Sequence, residues 1–139
     1  MNAAITACDI GHRVTIIEKS GELGGLLKFT DNDSVKLDLK RYKDYLVRKT
    51  LSCGAEIIFN TEATAEFVEN LRPDAVLIAA GSEPVIPNIP GIEFAKHATE
   101  IYKEPKFTGK SVAIIGGGLV GCELGVDLAH EGNKVTVIE

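Results

Sequence analysis

The most informative stretch of this chain for its fold is IIGGGLVG, at residues 114–121. An apolar run leads into the pattern Gly-x-Gly-x-x-Gly, and an apolar stretch with a further glycine follows it. Glycines let the backbone turn tightly from a strand into a helix, whose N-terminus offers free N–H groups and a positive dipole end to a phosphate. The stretch therefore predicts a strand, a phosphate-binding turn formed by Gly116, Gly118 and Gly121, and a helix.

A second strand, KVTVIE at 134–139, ends on an acidic residue. At this position of a dinucleotide-binding fold a carboxylate hydrogen-bonds the ribose 2′-hydroxyl and repels a 2′-phosphate. We therefore expect Glu139 to help bind NAD, with NADH favoured over NADPH. The alternative is a tight strand-to-helix turn in a site that no longer binds a nucleotide.

The chain also contains an internal repeat. GHRVTIIE at 11–18 corresponds to GNKVTVIE at 132–139, which places Glu18 where the second copy has Glu139. The strand and glycine loop that should precede the first copy are missing, so we expect a piece of a longer protein, cut inside one fold at its start and inside another at its end. A native start at Met1 is the alternative.

Composition indicates a globular protein that binds small molecules. Hydrophobic residues make up 45% and charged residues 25%, and no apolar run approaches the roughly 20 residues of a membrane span. A net charge of −5 without a basic cluster predicts neither nucleic acid nor membrane as partner. Cys8, Cys53 and Cys122 have no close spacing, so we expect a cytoplasmic protein without a metal site, in which they pack as small apolar groups.

Hydrophobic patterning predicts alternating helices and strands, which is typical of an α/β fold with a parallel sheet. We expect helices at 2–9, 35–50 and after the glycine turn, a polar helix or loop at 63–70, a short helix within 94–108, and strands at 13–18, 56–60, 74–80, 111–115 and 134–139. The stretch at 74–80 is almost wholly apolar and predicts a buried strand that ends at Gly81. Asp33 or Ser34 is the expected N-cap of the helix at 35–50. Prolines exclude regular structure from 82–92, which we interpret as a crossing between domains.

Three motifs in this order resemble the pyridine-nucleotide reductases, flavoproteins with two dinucleotide folds. They are VTIIEK with GELGG within 14–25, DAVLIAAGSEP at 74–84, and the glycine turn. In that family a strand ending in an Ala-Thr-Gly-like turn precedes the crossing, and here Ala80 replaces the usual threonine. The resemblance implies a Rossmann-like three-layer FAD/NAD(P)-binding fold that is incomplete at both ends. Residues 1–108 would be a partial FAD domain and 109–139 the start of the NAD(P) domain.

Within the family, the disulfide reductases carry a redox cysteine pair shortly after the first acidic strand end. This chain has leucines and a phenylalanine there, so we expect no dithiol mechanism. Its LGGLL loop and LKRYKDYL helix, at 23–27 and 39–46, are similar to the C-terminal half of NADH:flavin oxidoreductases fused to an old-yellow-enzyme barrel. That group includes 2,4-dienoyl-CoA reductase, 2-enoate reductase and trimethylamine dehydrogenase.

The similarity implies a parent flavoenzyme that carries FMN and an iron–sulfur cluster outside this chain. FAD bound here would relay electrons from NAD(P)H, and the substrate, an enoate or enoyl-CoA, would be reduced elsewhere. The residues expected near FAD are Glu18 at the adenosine ribose, Lys19 beside it, Gly24 and Gly25 near the diphosphate and flavin ring, Ala80 and Gly81 at the same diphosphate, and, as a weaker candidate, Ala63 at the adenine. Without its first glycine loop, the chain alone should bind FAD weakly or not at all.

Other patterns have simpler interpretations. Tyr45-x-x-x-Lys49 matches the catalytic pair of short-chain dehydrogenases, but it precedes the glycine turn, so we interpret it as a chance match on an amphipathic helix. Cys122 lies at a helix N-terminus, where thiol pKa values fall, yet packing against the sheet is the expected role. The histidines have no metal-ligand spacing, and we assign no catalytic residue.

Two further expectations concern assembly and activity. A missing central strand would leave an open slot in the first sheet, which predicts a strand-sharing homodimer. The alternative to an oxidoreductase fragment is a non-catalytic nucleotide-binding or interaction module without turnover.

Overall fold

Helices and parallel strands alternate along the chain. The structure, a computed structural model, describes residues 1–33 and 36–139. In chain order its elements are α1 (Asn2–Asp9), β1 (Thr15–Ile17), α2 (Leu37–Ser52), β2 (Glu56–Ile58), α3 (Ala65–Asn70), α4 (Ala98–Ile101), β3 (Ser111–Ile115), α5 (Leu119–His130) and β4 (Lys134–Ile138). Short 3₁₀ helices at Gly25–Asp31 and Ile92–Phe94 complete the described structure.

Both sheets are parallel pairs. β1 pairs with β2, with Thr15 opposite Glu56, and β3 pairs with β4, with Ser111 opposite Lys134. Parallel neighbours need a crossover, and α2 and α5 supply it in the two pairs. The predicted α/β class with parallel strands is confirmed.

The chain divides into two compact units. One contains Met1–Lys28 and Asp38–Glu83, and the other contains Phe29–Leu37 and Pro84–Glu139. Compactness groups residues by packing, whereas the expected boundary after residue 108 follows from the family resemblance. That boundary therefore stays a prediction.

In the first unit, α1 and α2 both carry buried side chains. Ala4 on α1 and Leu46 and Thr50 on α2 are buried, four residues apart on α2 as one helical face requires. The Thr50 hydroxyl donates to the Leu46 carbonyl at 2.8 Å, which satisfies this buried polar group within the helix.

Only one of the two expected N-caps of α2 can be described. The Asp33 carboxylate accepts a hydrogen bond from the Lys36 N–H at 3.0 Å, just before the helix begins at Leu37. Ser34, the other candidate, and Val35, the expected first helical residue, lie outside the described residues.

The expected strand at 74–80 does not form. Val76 is 59% exposed and Ile78 is 87% exposed, and the stretch has no regular secondary structure. Apolar residues favour a strand. However, a strand can be buried only when the N–H and C=O groups of its backbone pair with a neighbouring strand. In the described part of this unit, β1 and β2 pair only with each other, so the prediction of a buried strand is wrong.

The second unit has a small core between α4, α5 and the β3–β4 pair. Its buried members are Tyr102, Ile114, Leu124 and Leu128. The Phe29 ring lies 5.3 Å from the Tyr102 ring, and the Asn32 side-chain amide donates to the Tyr102 carbonyl at 2.7 Å. These contacts explain why Phe29 and Asn32 pack with this unit.

Candidate functional site

The glycine turn joins β3 directly to α5. Gly116 has φ +101°, a left-handed conformation that glycine adopts without steric cost, and its N–H donates to the Ile138 carbonyl at 2.8 Å. Gly118 is the N-cap of α5, which begins at Leu119. The turn therefore leaves the sheet at its carboxyl edge, the edge where ligands bind in open α/β sheets.

Gly121 lies on α5 and is in close contact with this turn. A Cβ built on it would be 2.0 Å from the Gly116 carbonyl oxygen, which is a backbone atom that no rotamer change can move. A Cβ built on Gly118 would meet nothing within 4 Å. The first-turn N–H groups of a helix have no intrahelical partners. The turn thus holds α5 close to Gly116 and leaves open space at Gly118 beside the first-turn N–H groups of the helix. This arrangement fits a phosphate.

Glu139 brings a carboxylate to the same turn. It follows β4, and its Oε2 accepts a hydrogen bond from the Gly117 N–H. The structure therefore brings together all four residues expected at the NAD site: Gly116, Gly118, Gly121 and Glu139. A carboxylate held at the carboxyl edge can accept a hydrogen bond from a ribose hydroxyl.

Cys122 does not pack against the sheet. It is exposed, and its thiol donates to the Gly117 carbonyl at 3.0 Å. The tight turn brings that carbonyl within reach of the helix surface, so the expectation of a packed apolar thiol is wrong for this residue.

Glu18 occupies the equivalent edge of the first unit. Its Oε1 accepts hydrogen bonds from the Ser20 N–H at 2.8 Å and from the Ser20 hydroxyl at 2.7 Å. Its backbone carbonyl accepts from the Thr61 N–H at 3.1 Å. Sequence reasoning missed Ser20, although a hydroxyl residue two positions after a carboxylate is a known pattern for a local hydrogen bond.

Lys19 and Ala63, two further residues expected near FAD, are both exposed. Lys19 forms an ion pair of 3.1 Å with Glu62, and both side chains are exposed, so the pair contributes little to stability. Ala63 is exposed and precedes Thr64, whose hydroxyl accepts from the Phe67 N–H at 3.2 Å and caps α3.

The other expected FAD contacts divide into a folded loop and an exposed segment. Gly24 is buried against Lys28, and Gly25 begins the 3₁₀ helix at Gly25–Asp31. Ala80 and Gly81 are exposed, and within the described residues no hydrogen bond joins them to Glu18. The structure therefore places Glu18 and Lys19 at one edge, while Ala80 and Gly81 lie in an exposed segment without regular secondary structure.

The described residues contain neither a candidate metal site nor a helix that could span a membrane. Within 1–33 and 36–139, no three His, Cys, Asp or Glu side chains form a group that could hold a metal ion. None of the described helices is long and apolar enough to cross a membrane. Tyr45 and Lys49 lie on α2, in the unit that does not contain the glycine turn.

Comparison with known proteins finds relatives among large reductases. The chain is 40% identical to an NADH oxidase from Thermoanaerobacter brockii and 40% identical to a cinnamate reductase from Clostridium sporogenes, with 100% of this chain covered in both and 22% and 21% of the relatives. A solved structure of a 2-naphthoyl-CoA reductase in complex with 2-naphthoyl-CoA matches with a TM-score of 0.84 and 32% identity, over 96% of this chain and 21% of that one. The chain thus spans about a fifth of the length of these three relatives.

A family model described as "Pyridine nucleotide-disulphide oxidoreductase" covers residues 1–139. This match confirms the resemblance drawn from the three sequence motifs, and it supports binding of FAD and NAD(H) by the two folds. The chain belongs to the pyridine nucleotide-disulphide oxidoreductase family.

Proposed function

We propose that this chain is a nucleotide-binding part of an NADH-dependent flavin oxidoreductase, in which it relays electrons between NAD(P)H and FAD. The observation that carries the proposal is the Glu139 carboxylate, held on the Gly117 N–H beside the glycine turn. Family membership and the NADH oxidase relative support the same function.

At the NAD site, each group has a distinct task. The pyrophosphate would lie over the turn formed by Gly116, Gly118 and Gly121, where the N-terminus of α5 favours negative charge. Glu139 would exchange its hydrogen bond to Gly117 for one from the ribose 2′-hydroxyl, and its charge would repel a 2′-phosphate. NADH is therefore the favoured nucleotide.

At the FAD site, Glu18 would bind the adenosine ribose. Because both hydrogen bonds from Ser20 go to Oε1, the carboxylate is fixed in orientation before a ligand arrives. Lys19, Gly24, Gly25, Ala63, Ala80 and Gly81 remain the proposed neighbours of FAD. When bound, FAD and NADH would supply the hydride-transfer chemistry, and the chain's own residues would hold and orient them without an acid–base residue.

Substrate chemistry belongs to the rest of the parent flavoenzyme. We propose that this part carries FMN and an iron–sulfur cluster and reduces an enoate or enoyl-CoA, in keeping with the cinnamate reductase relative. A cytoplasmic location fits three free cysteines.

The exposed backbone at 74–80, which has no regular secondary structure, supports a strand-sharing homodimer. Light scattering tests this assembly, and a stable monomer would contradict it.

Fluorescence titration with NADH and NADPH tests the nucleotide assignment. We expect NADH to bind more tightly, and Glu139→Ala to weaken NADH binding roughly tenfold or more, because a hydrogen bond to a charged group is lost. Glu93→Ala removes an exposed carboxylate from the same unit and should leave binding unchanged. Equal affinities that Glu139→Ala does not alter would contradict the assignment.

The alternative is a nucleotide-binding module without turnover. Addition of FAD and an artificial electron acceptor separates the two, because the oxidoreductase proposal predicts NADH oxidation by the parent enzyme. NADH binding without any oxidation by the parent would favour the alternative.

A further inference from the structure

Within residues 1–33 and 36–139, the hydrogen bonds to the Glu18 carboxylate come from one residue, Ser20. The Ser20 N–H donates to Glu18 Oε1 at 2.8 Å, and the Ser20 hydroxyl donates to the same oxygen at 2.7 Å. A carboxylate oxygen offers two lone pairs, so these two bonds fill the hydrogen-bonding capacity of Oε1. Oε2 is therefore the oxygen that a ligand can use.

The Ser20 hydroxyl has two acceptors within reach and one proton. Its oxygen lies 2.7 Å from Glu18 Oε1 and 2.8 Å from the Glu22 carbonyl oxygen. A hydrogen bond to a charged acceptor is stronger than one to a neutral carbonyl, so the carboxylate receives the proton. Ser20 and Glu18 are both partly buried, which limits the competition from water.

The backbone on both sides of this contact is held by the end of β2. The Glu18 N–H donates to the Ile58 carbonyl at 2.9 Å, and the Glu18 carbonyl accepts from the Thr61 N–H at 3.1 Å. The Ser20 carbonyl accepts from the Asn60 N–H at 3.0 Å. The two Ser20 donors thus belong to a segment whose position is fixed by its hydrogen bonds to the neighbouring strand and the residues after it.

The adjacent cation is directed to a different carboxylate. Lys19 Nζ lies 3.1 Å from Glu62 Oε1, and both side chains are exposed. Ser20 is therefore the residue that sets the orientation of the Glu18 carboxylate. A carboxylate with one open oxygen is a strong acceptor for sugar hydroxyls.

We propose that Ser20 is a positioning residue for nucleoside recognition: it holds Glu18 Oε1 and leaves Oε2 to accept both hydroxyls of the adenosine ribose. The inference rests on the proposed function, in which Glu18 binds that ribose. The 2′- and 3′-hydroxyls lie on adjacent carbons and Oε2 has two lone pairs, so one oxygen can accept from both. Ser20 thus acts through Glu18 on the preference for ribose over a sugar without these hydroxyls.

An amide-resolved NMR titration of the chain with two nucleosides tests this role. Adenosine carries both hydroxyls and 2′,3′-dideoxyadenosine carries neither, and neither nucleoside needs a diphosphate-binding loop. We expect adenosine to shift the amide signals of Ser20 and Thr61 in the wild type. Adenosine should bind roughly tenfold more tightly than 2′,3′-dideoxyadenosine, because the latter makes no hydrogen bond to the charged group.

Substitutions at Ser20 separate positioning from a general loss of structure. Ser20→Ala should weaken adenosine binding roughly three- to tenfold and leave the affinity for 2′,3′-dideoxyadenosine unchanged, since only adenosine uses Oε2. Ser20→Thr keeps a hydroxyl and should restore the wild-type preference. Ser52→Ala removes an exposed hydroxyl from α2 in the same unit, and it should change neither affinity.

A Glu18 variant distinguishes failure of this inference from failure of the proposed function. Glu18→Ala should abolish the preference for adenosine. A wild type without that preference, or Glu18→Ala with it, would contradict the ribose site and the role of Ser20 together. A preference that depends on Glu18 but is unchanged in Ser20→Ala, or an equal loss of affinity for both nucleosides in Ser20→Ala, would overturn the role of Ser20 alone.

Discussion

Gly121 and Gly118 show how two glycines of one turn differ in purpose. A Cβ at Gly121 collides with the Gly116 carbonyl oxygen, whereas a Cβ at Gly118 enters open space. Gly121 therefore permits the close contact between α5 and the turn, whereas Gly118 leaves open space, in which we propose that the pyrophosphate lies. Sequence identifies both as members of one motif but does not separate these roles.

This difference gives a paired prediction. Gly121→Ala should destabilise the protein by about 1–3 kcal/mol or more, because the added methyl group forces α5 away from the turn. Gly118→Ala should change stability by less than about 1 kcal/mol, but it should weaken NADH binding, because the methyl group occupies the space for the pyrophosphate. Urea unfolding and NADH titration of both variants measure these effects, and equal loss of stability in the two would contradict the assignment.

At the scale of elements, Asn133 fixes the turn between α5 and β4. Its side chain is buried; Oδ1 accepts from the Lys110 N–H at 3.0 Å, and Nδ2 donates to the carbonyls of Phe107 and Leu128, both at 2.9 Å. One side chain thus joins the entry of β3 to the end of α5. In the internal repeat, the first copy has His12 at the corresponding position.

Removal of this side chain should loosen the second unit. Asn133→Ala removes three hydrogen bonds to buried or partly buried backbone groups, and we expect a loss of about 2–4 kcal/mol in the free energy of unfolding. Asn32→Ala, which removes a single hydrogen bond in the same unit, should cost about 1 kcal/mol or less. Chemical denaturation of both variants tests this prediction. A similarly small loss in the free energy of unfolding for each variant would contradict the role of Asn133.

The sequence predicted most elements because local patterns determine them. The helical spacing of apolar residues located α2, and the β-branched residues next to glycines located β3 and β4. The strand at 74–80 could not be judged in this way, since its burial depends on a neighbour that its own residues do not specify. The glycine turn was predicted from a contiguous motif, whereas the hydrogen bonds between Ser20 and Glu18 are contacts that only the folded chain creates.

At the scale of the whole molecule, the Tyr102 hydroxyl links stability to alkaline pH. Tyr102 is 8% exposed, and burial, with Asp33, Asp127 and Glu123 nearby, raises its pKa to about 12. An unfolded tyrosine titrates near 10. Folded protein therefore retains this proton more strongly, so the stabilisation is complete below about pH 10 and is lost as the pH rises towards 12.

Tyr102→Phe should flatten that alkaline loss. The phenyl ring keeps the contact with Phe29 but has no proton to lose, so stability should fall less steeply between about pH 10 and 12 than in the wild type. Urea unfolding at several alkaline pH values measures the slope. Tyr45→Phe, on the exposed side of α2, serves as control, and the same slope in Tyr102→Phe and the wild type would contradict the prediction.

The glycine turn with Glu139 is the proposed binding site for a pyridine nucleotide. An amide-resolved NMR titration of the chain with NADH tests this site. We expect the signals of Gly117 and Gly118 to shift first and most, because Glu139 exchanges its hydrogen bond from the Gly117 N–H for one from the ribose and the pyrophosphate approaches the turn. Shifts that avoid these amides, or equal shifts in Glu139→Ala, would contradict it.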